Sequence, residues 1–462
     1  MYRVSTEPPA PMNRSRFLET SAALLAGGLL SPLLGCEGTT RPVRRNWAGN
    51  YPYKAPHLLQ PKTVAELQTL LKKAGKHKAL GTGYSYNDVA DNVENQISTQ
   101  HFNQILALDA EAMTVTVGAG MRYAELTPLL HQKGYALHNL PAVLGMTVGG
   151  ACATATHGSG LRNGNMATAV VALDLVTPTG EAIHLSREAD PDLFKGAVVG
   201  LGALGVITSL MLAIQPTYLM RQDVFQNLPL EALLAHYDEI MATGYSLSLF
   251  TNWQQKRFDQ VWVKRRVEAG TGTLGTSFFG ATAATQPLHP VGNLRPDACT
   301  PQLGSIGPWH ERLPHYRPQA AAPAGAQPVQ SEYFVPYQNG PDVLLALMKL
   351  GNRLAPHLLV SEVRTVAADR FWMSPCHRQD CLAIQFTWKP DDLNGVKQLL
   401  PDLEAELAPF AARPHWATLF KTTPAVLKER YEMLPEFLQL ARLYDPYGKC
   451  RNEFLDMNVF AR

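Results

Sequence analysis

The sequence predicts an α+β fold made of more than one folded unit, and three observations carry that prediction. Helix-like and strand-like patterns are interspersed along the first half, with short hairpins between them. No glycine fingerprint of a regular doubly wound sheet opens the chain. The length of 462 residues exceeds what one ordinary core accommodates, so we expect about two or three units with room for a cleft.

The first elements follow from local patterns. A strand that starts at 58–59 and is ended by Pro61 is followed by Thr63 and Glu66, which have capping-box spacing at the start of a helix. Apolar residues spaced three and four apart give this helix one buried face. We expect it to close at Gly75 in a left-handed conformation and a short strand to follow at 78–80.

The next elements extend the same alternation up to a predicted boundary. We expect a strand at 114–117, a second amphipathic helix at 122–133, and a hairpin from strands at 170–177 and 181–185 around the turn Pro-Thr-Gly. Glycine-rich character fades near Pro216. The stretch that follows is therefore interpreted as a separate substrate lobe.

Composition narrows the function. Lys plus Arg number 41 against 39 acidic residues, so the net charge is only +2, and no long basic run stands out. Nucleic acid is therefore not an expected partner. The fourteen histidines show no HExxH pairing, so no metal site is predicted and a metal-dependent hydrolase is disfavoured. The six cysteines match neither a zinc site nor a dense disulfide framework, which leaves structural disulfides open.

The N-terminus predicts export and a lipid anchor. Residues 14–18 (Arg-Ser-Arg-Phe-Leu) precede an apolar run at 22–34 that is too short and too interrupted by glycine to span a membrane. The run ends in Leu-Leu-Gly before Cys36, which is typical of a bacterial lipobox whose cysteine is acylated. An ordinary cleaved signal or a buried hairpin is the alternative. The first interpretation places the protein in the periplasm or at the cell surface, anchored to the membrane through Cys36.

Four glycine-rich stretches indicate a site for an elongated anion. They are residues 81–87, 118–120, 149–160 and 200–205. Glycine lets the backbone approach a ligand closely, and loops of this kind present N–H groups to a pyrophosphate. Each stretch alone is equally compatible with an ordinary turn, but four within one domain favour a dinucleotide site.

Motifs in both halves resemble one flavoprotein family, in the same order along the chain. The motifs are residues 46–50 (Asn-Trp-Ala-Gly-Asn), the loop at 81–87, 156–158 (Thr-His-Gly), 202–205 (Gly-Ala-Leu-Gly), 307–315 (Gly-Pro-Trp-His-Glu-Arg-Leu-Pro-His), 331–333 (Ser-Glu-Tyr) and 413–416 (Arg-Pro-His-Trp). Together they look like the alditol oxidase and sugar-1,4-lactone oxidase branch of the vanillyl-alcohol oxidase family. The resemblance extends over roughly residues 46–457.

The resemblance implies a two-lobed FAD-binding domain of the PCMH type at 46–217, a mixed α+β cap (substrate) domain at 218–412, and a C-terminal segment at 413–462 that returns to the FAD domain. Residues 1–45 would hold the export signal, lipobox and spacer. The positions that match the family's FAD region are Gly81, Thr82, Gly83, Tyr84, Ser85, Thr147, Gly150, Thr154, Ala155, Thr156, His157, Ile207 and His415. Glycines admit the diphosphate, hydroxyls donate to it, and imidazoles can meet the flavin edge.

Two alternating segments predict a polar patch on one sheet face. Glu362 and Arg364 are two residues apart, and Gln385 and Thr387 repeat this spacing, so each pair points to one face of its strand. If the strands are neighbours, the four groups converge. An ordinary solvated face is the alternative. The resemblance implies that Glu362 and Arg364 are the family's polyol-binding Glu-x-Arg.

The implied function is FAD-dependent oxidation of a CH–OH group of a polyol, aldose or sugar lactone. A carbinol hydride passes to flavin N5 while the hydroxyl proton leaves, and the electrons continue to oxygen or another acceptor. Arg364 is expected to stabilise the developing alkoxide, with Glu362 and Thr387 orienting hydroxyl groups beside Gln385. The rival hypothesis is a non-catalytic flavin- or sugar-binding lipoprotein that retains the fold.

Several departures from the family pattern support that rival. Tyr84 stands where the alditol oxidases have the histidine that bonds covalently to flavin, so FAD is expected to be non-covalent. Gln385 replaces a histidine, Thr418 replaces an active-site lysine, and Ala142 replaces a substrate-contacting serine. Lys421 is the candidate to supply the missing cation. His157 is either a proton acceptor or a residue that packs against FAD.

Overall fold

The computed structural model describes residues 43–268, 271–318 and 327–461. The predicted export signal and its acylation site, Cys36, lie outside these residues and stay predictions. Within the described part, no helix is long and apolar enough to cross a membrane.

The first half of the described chain forms three sheets. Its strands are β1 (His57–Leu59), β2 (His77–Leu80), β3 (Asn95–Ser98), β4 (Ile105–Asp109), β5 (Thr114–Gly118), β6 (Tyr135–Ala136), β7 (Val170–Val176), β8 (Ala182–Ser186), β9 (Val206–Ala213) and β10 (Gln215–Pro216). Its helices are α1 (Val64–Lys73), α2 (Tyr123–Gln132), α3 (Val148–Ala153) and α4 (Pro191–Val198). A parallel sheet runs β1-β3-β2, an antiparallel sheet runs β4-β5-β9-β7-β8, and β6 pairs with β10.

Helix α1 begins where the capping-box spacing predicts. The Thr63 hydroxyl accepts the Glu66 N–H at 3.1 Å, which satisfies one of the backbone donors that a helix start leaves free. Leu67 and Leu71 are fully buried and pack in a small apolar cluster with Ile97 of β3. The apolar stripe therefore fixes the helix against the parallel sheet.

One predicted helix end is wrong and another is confirmed. Gly75 does not close α1 in a left-handed conformation, because the helix ends at Ala74 with extended backbone. The chain then runs straight into β2, with the Lys76 N–H donating to the Glu94 carboxylate at 3.0 Å. The second helix, predicted at 122–133, does end there, and Gly134 follows it with φ +86°, a left-handed conformation that is common at helix ends.

The second half is dominated by one antiparallel sheet of ten strands in the described chain. Its strands are β11 (Leu219–Pro229), β12 (Ser246–Thr251), β13 (Arg257–Arg266), β14 (Ser277–Phe278), β15 (Ala281–Ala283), β16 (Gly307–Pro308), β17 (Val329–Pro336), β18 (Leu358–Val366), β19 (Cys381–Trp388) and β20 (Arg413–Pro414). The order is β14-β15-β11-β13-β12-β18-β19-β17-β20, with β16 on β11. The helices are α5 (Leu230–Ala235), α6 (Tyr237–Met241), α7 (Gly340–Lys349), α8 (Gly351–Leu354), α9 (Leu393–Leu407), α10 (Pro424–Arg430), α11 (Leu434–Tyr444) and α12 (Glu453–Asn458).

The C-terminal helices pack in the core of the first half. Leu427, Phe437 and Leu455, from α10, α11 and α12, share one buried apolar cluster with Val117 of β5 and Leu210 of β9. Close contacts gather the chain from Arg44 onward in one compact unit. The domain boundaries at 217 and 412 therefore stay predictions.

Candidate active site

A cavity of about 560 Å³ is lined by loops of the first half and by strands of the ten-stranded sheet. This is an ordinary size for a ligand or cofactor site. Its lining includes the predicted residues Gly81, Thr82, Gly83, Tyr84, Ser85, Thr147, Gly150, Thr154, Thr156, His157, Ile207, His415, Glu362, Arg364, Gln385 and Thr387. Ala155 is not in the lining. It is buried in the core behind it, with a left-handed φ of +56°.

Glycines keep the first-half side of this cavity open. A Cβ atom on Gly81 would lie 2.3 Å from Oγ1 of Thr147, and one on Gly145 would lie 2.1 Å from the hydroxyl of Tyr84. Gly83 adopts φ +72°, a conformation that favours glycine. A side chain at any of these positions would displace the cavity wall, which is the arrangement expected where backbone contacts a ligand.

Three neighbouring strands form the opposite wall. Strand β19 pairs with β18 on one side and with β17 on the other, and its Gln385 lies in register with both Glu362 and Glu332. The condition under which the polar groups of the two strands converge, that these strands are neighbours, is therefore met. Because Arg364 and Thr387 also line the cavity, the polar groups converge on a single wall.

Arg364 links the two carboxylates of this wall. Its Nη2 donates to Oε1 of Glu332 at 2.6 Å and to Oε1 of Gln385 at 2.8 Å, and its Nε lies 3.5 Å from Oε1 of Glu362. Burial alone would lower the pKa of Arg364, but the two carboxylates outweigh it and raise that pKa. The guanidinium is thus a permanent buried cation.

The same contacts keep both carboxyl groups ionised. Burial alone would raise the pKa of Glu362, but Arg364 and His315 lower it to about 2. For Glu332, burial is likewise outweighed, here by His157 and Arg364, and the pKa falls well below its usual range. The wall therefore presents two carboxylates around one guanidinium, a set that can bind several hydroxyl groups at once.

Two histidines lie beside this wall, His157 from the first half and His415 from the C-terminal segment. Nε2 of His157 lies 3.2 Å from Oε1 of Glu332, and Nδ1 of His157 contacts the Gly158 carbonyl at 2.8 Å. Nδ1 of His415 accepts the Ala417 N–H at 3.1 Å. Burial lowers the pKa of His415 to about 4, so this imidazole is neutral at ordinary pH.

The cavity fits FAD in two respects. Glycine-rich loops line one side of it, and a glycine backbone can approach a diphosphate closely. At the junction with the polar wall, Nε of Arg364 and Nε2 of His157 are buried and have no hydrogen-bond partner of normal geometry among the described residues. Buried polar atoms of this kind are expected to be satisfied by a bound group, and a flavin ring carries the acceptors that Arg364 needs.

Three departures from the family pattern have definite places in the structure. Tyr84 stacks on Trp47, with ring centroids 4.8 Å apart and 17° between planes. Thr418 donates through Oγ1 to the His415 carbonyl at 3.1 Å and accepts the Glu332 N–H at 3.2 Å. Ala142 lines the cavity. Each substitution thus changes the cavity wall itself.

Lys421 does not supply the missing cation. Its side chain is exposed and is not part of the cavity lining. Its backbone N–H donates to the Glu404 carboxylate at 2.6 Å, which fixes the chain at that point. The prediction that it replaces the cation is therefore wrong.

Sequence reasoning assigned no role to three polar residues at this wall. Glu332 and His315 occur in the sequence as parts of family-like motifs, and no motif includes Lys264. Lys264 is fully buried on β13 and its Nζ lies 2.9 Å from Nδ1 of His315. The available signal was a lysine at the end of the apolar run Val261-Trp262-Val263, where a charged residue needs buried partners.

Comparisons with known proteins agree with this architecture. A family model described as an FAD binding domain matches residues 55–186, and one described as D-arabinono-1,4-lactone oxidase matches residues 326–458. The chain is 40% identical over 414 residues to an alditol oxidase of Streptomyces sp. (strain IKD472 / FERM P-14339), covering 89% of this chain and 97% of that protein. It is 28% identical over 440 residues to an L-gulono-1,4-lactone dehydrogenase of Mycobacterium tuberculosis, covering 89% and 98%.

A solved structure, described as a solvent-stable cholesterol oxidase, shares the fold. The TM-score is 0.70 at 15% identity, with 90% of this chain and 96% of that chain covered. The fold and the family domains define an FAD-dependent oxidoreductase with a PCMH-type FAD-binding domain, acting on CH–OH donors. The chain belongs to the alditol oxidase and sugar-1,4-lactone oxidase branch of the vanillyl-alcohol oxidase family.

Proposed function

We propose that this protein oxidises a CH–OH group of a polyol, aldose or sugar lactone at the wall formed by Glu362 and Arg364. The observation that carries the proposal is that this buried ion pair lines the same cavity as the glycine loops of the first half. The names of the relatives, an alditol oxidase and a gulonolactone dehydrogenase, support this class of substrate.

The residues have complementary roles. FAD, when bound, supplies the acceptor for the hydride. Arg364 lowers the free energy of the alkoxide that develops as the hydroxyl proton leaves, because it is a fixed cation in a buried site. Glu362 accepts hydrogen bonds from substrate hydroxyl groups, and Thr387 and Gln385 complete their orientation.

His157 is the residue we propose to receive the hydroxyl proton. Nε2 of His157 lies 3.2 Å from Oε1 of Glu332, so an imidazolium at this position would be paired with a carboxylate. Glu362 is a poor acceptor in comparison, because its contacts with Arg364 and His315 hold its pKa at about 2 against the effect of burial.

Anaerobic mixing of the holoprotein with alditols, aldoses and sugar lactones tests the proposed function. Loss of the visible flavin band with at least one of these classes is the expected result. A band that persists with all of them would instead favour the rival, a binding protein that retains the fold. The rival is supported by Ala142, Gln385 and Thr418, which replace a serine, a histidine and a lysine of the family pattern.

The acceptor that reoxidises the flavin can be identified by comparing oxygen with other electron acceptors. The relatives carry the names of both an oxidase and a dehydrogenase. We propose that the reduced flavin of this protein passes its electrons to oxygen or to another acceptor. Reoxidation of the reduced holoprotein by dissolved oxygen, measured beside reoxidation by a quinone or dye, distinguishes the two cases.

We further propose that FAD is held without a covalent bond, because Tyr84 is not a histidine and its phenol is engaged in the cavity wall. Burial raises the pKa of Tyr84, with Arg122 opposing, so the hydroxyl remains protonated and is a weak nucleophile. Acid precipitation of the holoprotein is expected to release all of its flavin into the supernatant. Flavin fluorescence that stays with the precipitated protein would contradict this, and Tyr84→Phe gives the matched control because it has no phenol oxygen.

The export prediction is a separate proposal. We propose that the protein is exported and anchored through acylated Cys36, on the strength of the Leu-Leu-Gly-Cys sequence that ends its first apolar run. Intact-mass measurement of the membrane fraction tests it, with Cys36→Ala as the control. An unmodified mature chain would contradict the lipid anchor.

A further inference from the structure

A loop of the second half carries His315 to the cavity wall behind Glu362. The loop follows β16 and belongs to the family-like motif at 307–315, to which the function described above gives no role. The backbone N–H groups of His315 and Tyr316 both donate to the Ala142 carbonyl, at 3.1 and 3.3 Å. The first half of the chain therefore fixes the position of this loop.

Lys264 holds the ring of His315 from the other side. Its Nζ lies 2.5 Å from the Leu313 carbonyl oxygen, 3.0 Å from that of Pro314, and 2.9 Å from Nδ1 of His315. These three acceptors match the three protons of an ammonium group. When Nζ is an ammonium group it only donates, so Nδ1 of His315 accepts and Nε2 carries the proton, which suits the carboxylate oxygen of Glu362 beside Nε2.

That Nε2 proton points to Glu362. Nε2 of His315 lies 2.6 Å from Oε1 of Glu362. The ring is held edge-on by Phe250 and Trp262, with centroids 5.7 and 5.3 Å away. Nε of Arg364 also lies nearest to Oε1 of Glu362, at 3.5 Å. Oε1 is therefore the carboxylate oxygen that His315 and Arg364 hold.

The charges around this chain of contacts keep His315 neutral. Burial lowers the pKa of His315 to about 4, Lys264 adds to that effect, and Glu362 opposes it. Burial also lowers the pKa of Lys264 to about 7, with Glu362 opposing and Arg364 contributing, and Cys299 is the other titratable group that faces it. A neutral ring donates one hydrogen bond to Glu362 without cancelling its charge.

We propose that Lys264 and His315 are positioning residues that orient the Glu362 carboxylate toward substrate hydroxyl groups. Lys264 fixes the tautomer of His315, and His315 fixes Oε1. The inference rests on the proposed function for what Glu362 binds, but the geometry of the Lys264–His315–Glu362 chain does not depend on it. A purely structural role, in which Lys264 only ties down the 313–315 loop, is the competing explanation.

The ionisation of Glu362 tests the proposal without any substrate. In glutamate-labelled holoprotein, ¹³C NMR follows the carboxyl titration, and Glu362→Gln assigns the signal. His315→Phe keeps an aromatic ring in place but removes the hydrogen-bond donor to Glu362. The carboxylate is then less stabilised, so the acid dissociation constant of Glu362 should fall about tenfold or more. Lys264→Met should give a shift of the same sign. His315→Gln should restore most of the wild-type behaviour, because an amide offers both an acceptor to Lys264 and a donor to Glu362.

Lys449→Met is the matched control. This lysine also donates to two carbonyls, of Leu71 and Pro178, at 3.0 and 3.2 Å, but it lies outside the cavity lining. It should leave the Glu362 titration unchanged. A Glu362 signal that titrates identically in His315→Phe and wild type would overturn the proposal, even if the variant were less stable.

Flavin reduction by a polyol gives the second measurement. His315→Phe should weaken apparent substrate binding about tenfold or more. Because Glu362 is then protonated more easily, binding in this variant should also weaken further as the pH falls. His315→Gln should abolish this additional loss at acid pH. If wild type reduces no polyol, the proposed function fails, while the NMR result still decides the positioning role.

Discussion

Replacing Arg364 with methionine is expected to lower the rate of flavin reduction by a polyol about 1,000-fold while FAD stays bound. Removing one preorganised group that stabilises developing negative charge costs catalysis roughly 100- to 1,000-fold. Arg364 is also the cation that contacts both Glu332 and Glu362. Its loss therefore removes alkoxide stabilisation and disturbs the binding wall together.

The same change is expected to destabilise the fold, so the two effects must be separated. Breaking a buried ion pair costs about 3–5 kcal/mol, because a carboxylate is left uncompensated. The double variant Glu332→Gln, Arg364→Met removes one of these charges and should recover part of the thermal stability without recovering activity. Recovery of wild-type reduction in the double variant would rule out the role assigned to Arg364.

Arg266→Met provides the matched control for Arg364. Arg266 ends β13, where its guanidinium lies 3.9 Å from the ring centroid of Tyr218 and 4.3 Å from that of Tyr245. It is not part of the cavity lining. Loss of a partly buried arginine at this position should leave the limiting rate of flavin reduction unchanged.

Glu362→Gln is expected to reduce the ratio of the reduction rate to the substrate dissociation constant about 100-fold, mainly through weaker binding. A carboxylate accepts two hydroxyl groups with charge-assisted hydrogen bonds, each worth about 1.5–3 kcal/mol, and an amide offers a single weaker acceptor. Stopped-flow measurement of flavin reduction over a range of polyol concentrations separates binding from rate. Unchanged saturation behaviour would show that Glu362 does not contact the substrate.

The pH dependence of stability gives a second readout on Glu362. Its pKa is depressed to about 2 from an ordinary 4.5, because Arg364 and His315 outweigh burial. A depressed carboxyl pKa means that the stabilisation is fully present above about pH 4.5 and is lost as the pH falls toward about 2. In Glu362→Gln the unfolding temperature should therefore depend less on pH below about pH 4.5 than it does in wild type. Thermal denaturation at successive pH values measures this dependence.

Helix starts and strand faces could be predicted from the sequence where they depend only on residues a few positions apart. The Thr63 cap and the alternation around Glu362 and Gln385 needed only neighbours in sequence, and both are present in the structure. Gly75 shows where such reasoning fails: an outside partner, Glu94, directs the chain into β2 instead of a left-handed turn.

The composition of the polar wall was harder to predict, because it depends on strand order. Glu332 contacts Arg364 only because β19 lies between β17 and β18. Lys264 and His315 come from a strand and a loop far apart in sequence, and neither shows a periodic signal that points to the other. The wrong choice of Lys421 has the same origin, since spacing along the chain says nothing about which side chain faces the cavity.

The proposed function depends above all on one cavity that brings FAD together with the Glu362 and Arg364 wall. Titration of the apoprotein with FAD, followed by the visible flavin spectrum and then by anaerobic addition of a polyol, tests it most directly. We expect a saturable flavin band that the polyol bleaches in wild type but not in Arg364→Met. A protein that remains colourless however much FAD is added would contradict the claim.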